Sequence, residues 1–216
     1  MSKDEQTLGL LMATMEPPAG MEEEFQDWYD TEHFPERAAA EGFLTAQRFT
    51  CIDGFPRFLA LYDLEDSGVL ARPSYRAIAG ARYSAWTQRI MPRMWGAYRA
   101  EGPQRYPGAA LLGAEGCAAR LVLWRFAAAP EAAETTIIEG LRATYEGQPQ
   151  TAQVRLFKTR QQHGIDFIGL IELHVPYDPR PDAVAAFKDS ARYIDLVNTY
   201  VTYRRRAPGA FPLERS

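Results

Sequence analysis

Short apolar runs separated by turn residues dominate the chain, and their period switches between two and about 3.6. The first run, 7–14 (TLGLLMAT), is short and continuous, so it predicts a buried strand. Pro17, Pro18 and Gly20 then interrupt it. Residues 20–34 (GMEEEFQDWYDTEHF) carry apolar residues at helical spacing behind an acidic first turn. Acids there oppose the positive end of a helix dipole, so a helix is predicted. Residues 43–51 alternate like a strand, DGFP at 53–56 reads as a turn, and 57–65 is a second strand, together a hairpin. Residues 74–90 read as one helix or two short ones, and 94–102 as a closing strand. The order is β-α-β-β-α-β, the split βαβ unit.

Residues 103–117 (PQRYPGAALLGAEGC) are rich in proline and glycine and read as a linker. The same order then returns: strand 119–127, helix 130–146, strands 151–159 and 166–175, helix 180–194 and strand 197–206. TAQRF at 45–49 resembles TAQVRLF at 151–157, and RFLALYDL at 57–64 occupies the place of DFIGLIEL at 166–173. The expected organisation is therefore a first repeat over 1–102, a linker over 103–117 and a second repeat over 118–216.

Both faces of these strands are apolar, as the consecutive Leu10, Leu11, Met12 and Leu121, Val122, Leu123, Trp124 show. Helices cover one face of such a sheet, and the other face must be buried elsewhere. Two sheets in one chain bury each other when they close into a barrel, at about 25 cal/mol per Å² of apolar surface. The fold class predicted is α+β, tandem ferredoxin-like repeats forming an intramolecular barrel. The space between the sheets is the expected ligand cavity.

Composition narrows the function. The 216 residues carry a net charge of −4, which offers no field for nucleic acid or an anionic membrane. The run Leu8–Ala13 is too short for a leader or a membrane span, so a cytoplasmic location is expected. Cys51 and Cys117 fit neither a metal spacing nor a disulfide framework. His163 lies in a turn and His174 at a strand end; with His33 they make no metal motif. Phosphate loops, the serine-hydrolase elbow and the zinc-protease helix are missing from the sequence.

The informative stretch is Trp28-Tyr29-Asp30-Thr31-Glu32-His33-Phe34-Pro35. On a regular helix Trp28, Tyr29 and Glu32 share a stripe with Phe25, and Tyr29 meets His33 four residues on. Glu23, Asp27 and Asp30 are expected to face solvent. Pro35 cannot donate to Thr31, so the helix is expected to kink or stop near His33. A histidine at a helix C-terminus is favoured in its protonated form. His33 is then a candidate proton carrier with Tyr29 or Glu32 beside it; the plainer alternative is a histidine that caps a carbonyl. Arg48 is expected to hold substrate charge or to pair with Glu32. Tyr83, Trp86, Trp95 and Tyr98 are core material or the lining of an aromatic pocket.

The pattern W-Y-D-x-E-H-F-P, followed by Gly42-Phe43 and by Ala46-Gln47-Arg48-Phe49, resembles the EthD-like proteins of the dimeric α/β barrel superfamily. The match is specific over about residues 20–62. It implies that fold and a cleft histidine at His33, between helix and sheet, with Tyr29 and Trp28 adjacent. The wider superfamily holds small monooxygenases, polyketide cyclases, lactone isomerases and haem enzymes, so it does not fix a reaction. The helix at 130–146 has no matching histidine, which confines a site to the first repeat. The expectation is a small-molecule enzyme acting without a cofactor or metal on a hydrophobic cyclic or aromatic carbonyl compound, by acid/base chemistry that isomerises, cyclises or oxygenates it. His33, Tyr29 and Glu32 would be catalytic, and Trp28, Arg48 and Phe49 would contact substrate. The alternative is a non-catalytic ligand-binding or stress-related protein. The chain is expected to act as a single-chain pseudo-dimer or a homodimer.

Overall fold

Strands form where apolar residues had both faces to bury. A computed structural model of the chain describes residues 7–114, 118–176 and 183–204. Its strands are β1 (Gly9–Glu16), β2 (Gln47–Asp53), β3 (Phe58–Leu64), β4 (Trp95–Tyr106), β5 (Arg120–Phe126), β6 (Thr151–Gln161), β7 (Gly164–Leu173) and β8 (Ile194–Thr202). They close into one barrel in the order β1-β3-β2-β8-β5-β7-β6-β4. Each half contributes four neighbouring strands, and the halves meet at two antiparallel seams, β2 with β8 and β4 with β6.

Alternation along the strands divides the core into three layers. Leu10, Met12, Leu59, Leu61, Leu121 and Leu123 point into the barrel, where they pack with residues of both halves. Leu11, Met15 and Tyr62 point outward against the helices of the first half. Val122, Trp124 and Phe126 point outward in the second half, against Ile137, Leu141 and Tyr145 of α5 (Glu134–Tyr145). Mutual burial of the two sheets is therefore present. Among the described residues, leucine, methionine and aromatic side chains occupy the barrel interior, and the cavity that holds the candidate histidine lies on the outer face of the sheet instead.

The segment expected as a linker does more than connect. β4 runs on to Tyr106, and the chain beyond it folds over one end of the barrel. Leu112 joins the interior core. Its N–H donates to Asp63 Oδ2 at 2.6 Å, and the Gly113 N–H donates to Glu172 Oε2 at 3.0 Å. Arg155, fully buried, pairs with Asp63 at 2.7 Å beneath them. The proline and glycine content that suggested a passive tether instead permits these tight bends.

Other boundaries shift for local reasons. The helix expected at 180–194 is described from Ala183 onward, as tight turns over Val184–Tyr193 broken at Lys188, whose φ is 49°; residues 180–182 lie outside the described part. The last strand starts earlier than expected, at Ile194, and residues 205–206 of the expected strand also lie outside. The stretch 74–90 divides into α3 (Pro73–Arg76) and α4 (Ala85–Ile90).

Candidate functional site

The first helix is where the expectation and the structure differ most usefully. α1 (Glu22–Trp28) buries Phe25 and Trp28 against the sheet. The helix does not stop at Pro35. It widens into a π-turn over Tyr29–His33, where the Phe34 N–H reaches back five residues to the Tyr29 carbonyl. It then continues as α2 (Phe34–Ala38). The wider turn accommodates a ring that lacks an N–H and would clash in a regular helix, so Pro35 sits at the start of α2 instead of ending the helix.

The π-turn redistributes the acids. Asp30, expected to face solvent, turns to Arg48 and forms an ion pair with it. Glu32, expected beside His33, instead accepts a hydrogen bond from Ser84 Oγ and one from Thr87 Oγ1 at 3.2 Å. Thr87 Oγ1 in turn accepts from Trp28 Nε1 at 3.0 Å. Ser84 also caps α4, accepting from the Thr87 N–H at 3.0 Å. Glu32 therefore fastens α4 onto the first helix and offers His33 no hydrogen bond.

Tyr29 and His33 do meet. Their rings lie edge to face with centroids 5.2 Å apart, and His33 rests on Trp28 at 4.2 Å. His33 is 6% exposed and, among the described residues, its buried Nδ1 has no hydrogen-bond partner. The protonated form expected at a helix end is overturned. Burial, then the nearby charges of Arg37 and Arg48, push the imidazole down from its ordinary 6.5 to about 2. Mid-helix, with the chain continuing past Pro35, His33 feels no helix-end dipole to offset this. Burial likewise raises the Tyr29 and Tyr62 hydroxyls.

His33 and Tyr29 line a cavity of about 120 Å³ between the outer face of the sheet and the helical layer. Leu11, Ala13 and Met15 of β1 give it an apolar floor, and Tyr62, Tyr75 and Tyr83 bring phenol groups to it. Arg37 and Arg99 supply the cations. Trp28 stands behind His33 and is fully buried.

Arg48 lies outside this cavity. Its guanidinium is stacked between the rings of Tyr29 at 4.2 Å and Tyr203 at 4.1 Å, and it donates to Gln26 Oε1 at 2.6 Å. Tyr203 adds a hydrogen bond to Asp30 Oδ2 at 3.2 Å. The expected Glu32 partner is thus replaced by Asp30. Phe49 is displaced from the expected substrate contacts as well. Neighbouring strand residues face opposite ways, so with Arg48 turned to the helices Phe49 lies in the barrel interior.

Sequence reasoning missed Arg37, Tyr62, Tyr75 and Arg99. Arg37 follows His33 by four residues and was legible as its helical neighbour, had Pro35 not been read as a stop. Tyr62, Tyr75 and Arg99 arrive from distant segments and leave no local signal. Of the aromatic group singled out, Tyr83 and Tyr98 line the cavity, whereas Trp95 is 67% exposed. His163 is exposed and meets the buried Asp166 at 2.8 Å, and His174 is exposed beyond β7.

No family model and no curated protein matches the chain. Solved structures do. An anthrone oxidase-like protein superposes with a TM-score of 0.65 at 13% identity, over 97% of this chain and 96% of its own. A candidate monooxygenase from Lactobacillus acidophilus gives 0.53 at 9% identity, over 91% and 94%. A chlorite dismutase variant from Candidatus Nitrospira defluvii gives 0.51 at 12%, over 89% and 91%. At such identities the likeness speaks for architecture. With two four-stranded halves closed into one barrel and helices on the outside, the chain has the dimeric α/β barrel fold.

Proposed function

We propose that the cavity beside His33 is the active site of a small-molecule enzyme. Its substrate would be a hydrophobic, cyclic or aromatic carbonyl compound, and its chemistry acid/base work without a cofactor. The carrying observation is an uncharged imidazole with an unpartnered ring nitrogen, set on the wall of an apolar cavity next to a buried guanidinium. The cavity approaches the roughly 150 Å³ that takes a benzene ring in an engineered protein. The name of one structural neighbour, an anthrone oxidase-like protein, is in keeping with a ring-bearing substrate, and the EthD-like motif points to the same side of the sheet.

The proton step follows from the charges. A carbon–hydrogen bond next to the substrate carbonyl breaks, the proton goes to His33, and the electron pair moves onto the carbonyl oxygen as an enolate. Arg37 and Arg48 oppose a charged imidazole. An enolate beside Arg37 offsets that opposition, so imidazolium and enolate form together. Return of the proton to another carbon gives isomerisation or closes a ring.

Hydrogen–deuterium exchange at the activated carbon, followed by NMR across a panel of enolisable cyclic ketones and phenolic carbonyl compounds, tests this. Wild type should exchange at least one panel member, and His33→Gln should slow it by about 100-fold or more. Equal exchange in the variant would remove His33 from the reaction. One observation favours a second reading, a ligand-binding protein without turnover: an imidazole held down at about 2 is a weak base until an anion arrives. Saturable binding with no exchange by any panel member would select that reading.

A further inference from the structure

Arg37 is held in a way the proton step does not require. Its side chain is 4% exposed, and it lines the cavity from α2. Nη1 donates to the His33 carbonyl at 3.0 Å and Nη2 to the Ile78 carbonyl at 3.5 Å. Among the described residues its carboxylate partner is Glu36, the preceding residue, 3.6 Å away with a side chain 38% exposed. That is weak compensation for a buried guanidinium, which ordinarily requires a close, desolvated anion. Contrast Arg155, equally buried, whose carboxylate partner Asp63 is only 2% exposed.

The rest of the cavity has the same sign. Arg99 lines it from β4; it pairs with Glu101 and donates to the Tyr75 hydroxyl at 3.3 Å. The phenol side chains of Tyr29 and Tyr83 also line it, the Tyr62 hydroxyl being buried against Tyr29, and His33 is uncharged. Among the described residues lining it there is no aspartate or glutamate. A chamber with two guanidiniums, several hydroxyl donors and an apolar floor is complementary to one negative oxygen on a ring.

We propose that the cavity takes its ligand as an anion, a compound of about one ring whose ionised oxygen sits against Arg37, with Arg99 and the tyrosine hydroxyls around it. Phenolates, enolates and ring carboxylates share this chemistry. The proposal rests on the cavity being the ligand site of the proposed function, and it does not depend on His33 moving a proton.

The probe is 4-nitrophenol, whose neutral and ionised forms differ in colour and whose own ionisation lies near neutral pH. Titrating it with the full-length protein across that range reads which form binds. The bound probe should ionise about one pH unit or more below the free probe, a preference for the phenolate of about tenfold or more. Arg37→Gln should abolish most of that shift. If that variant does not fold, Arg37→Lys, which keeps the charge without the planar fork, should reduce it. A neutral form that binds as tightly as the ionised one, a shift untouched in a folded Arg37 variant, or no saturable binding would each overturn the proposal. The measurement needs no turnover, so a failed exchange experiment with His33 leaves its outcome intact, and the converse also holds.

Discussion

His33 shows how one residue's surroundings reverse an expectation drawn from its neighbours in sequence. Read as a helix end, it should be charged; buried mid-helix beside two arginines, it is neutral. The consequence for stability has a definite sign. The unfolded chain binds a proton near pH 6.5, while the folded chain resists it down to about 2. This contribution is therefore complete above pH 6.5 and is lost as pH falls below it, at up to about 1.4 kcal/mol per pH unit. Urea unfolding of wild type and His33→Gln at pH 6.5 and pH 5 measures it. Wild type should lose about 1.6 kcal/mol more than the variant between those two points. Coincident acid dependence in the two proteins would mean that His33 titrates normally. The Tyr29–His33 pairing was legible at this scale because four-residue spacing survives the widened turn. Arg48 and Phe49 were not separable, because the pattern gave the strand without saying which face met the helices.

At the scale of elements, strands were readable and helix ends were not. Short apolar runs, some alternating and some continuous, and the turn residues between them located the described strands to within a few residues, since each had to bury one face in the barrel and one under helices. The first helix resisted because a proline suggests a stop, whereas one extra residue in the turn lets the helix pass. That extra residue rotates the remainder of the helix by about 100° relative to a regular one. Asp30 and Glu32 changed roles accordingly, one to Arg48 and the other to α4. The role of Glu32 as a fastener yields a prediction. Glu32→Gln keeps an acceptor for Ser84 and Thr87 and should lose less than about 1 kcal/mol. Glu32→Ala strands both hydroxyl groups and should cost about 1–3 kcal/mol, with faster amide exchange over Ala85–Ile90. Equal stability of the two variants would remove the fastener role. Loss of catalysis in Glu32→Gln at unchanged stability would instead return Glu32 to the chemistry.

For the whole molecule, the two seams decide whether the barrel closes. The β4–β6 seam has little room at Gly102, which lies opposite Leu10 of β1. A Cβ added there would overlap the Lys158 carbonyl oxygen, and backbone cannot swing aside as a side chain can. Gly102→Ala should thus cost more than a typical surface substitution, about 1–3 kcal/mol, by prising β4 from β6. Thermal unfolding checks it, and a variant as stable as wild type would show that the seam is looser than its geometry. The barrel as a whole was legible from continuous apolar strands whose order was read twice along the chain. Its packed interior was not, because hydrophobic patterning says that two faces meet but not how tightly side chains fill the space between them.

The stretch around Leu112 gives that closure a directional safeguard. It corks the barrel mouth with backbone donors committed to one acid from each half, Asp63 and Glu172. Opening the barrel at this mouth would mean pulling a leucine out of oil and unbuttoning two carboxylates at once.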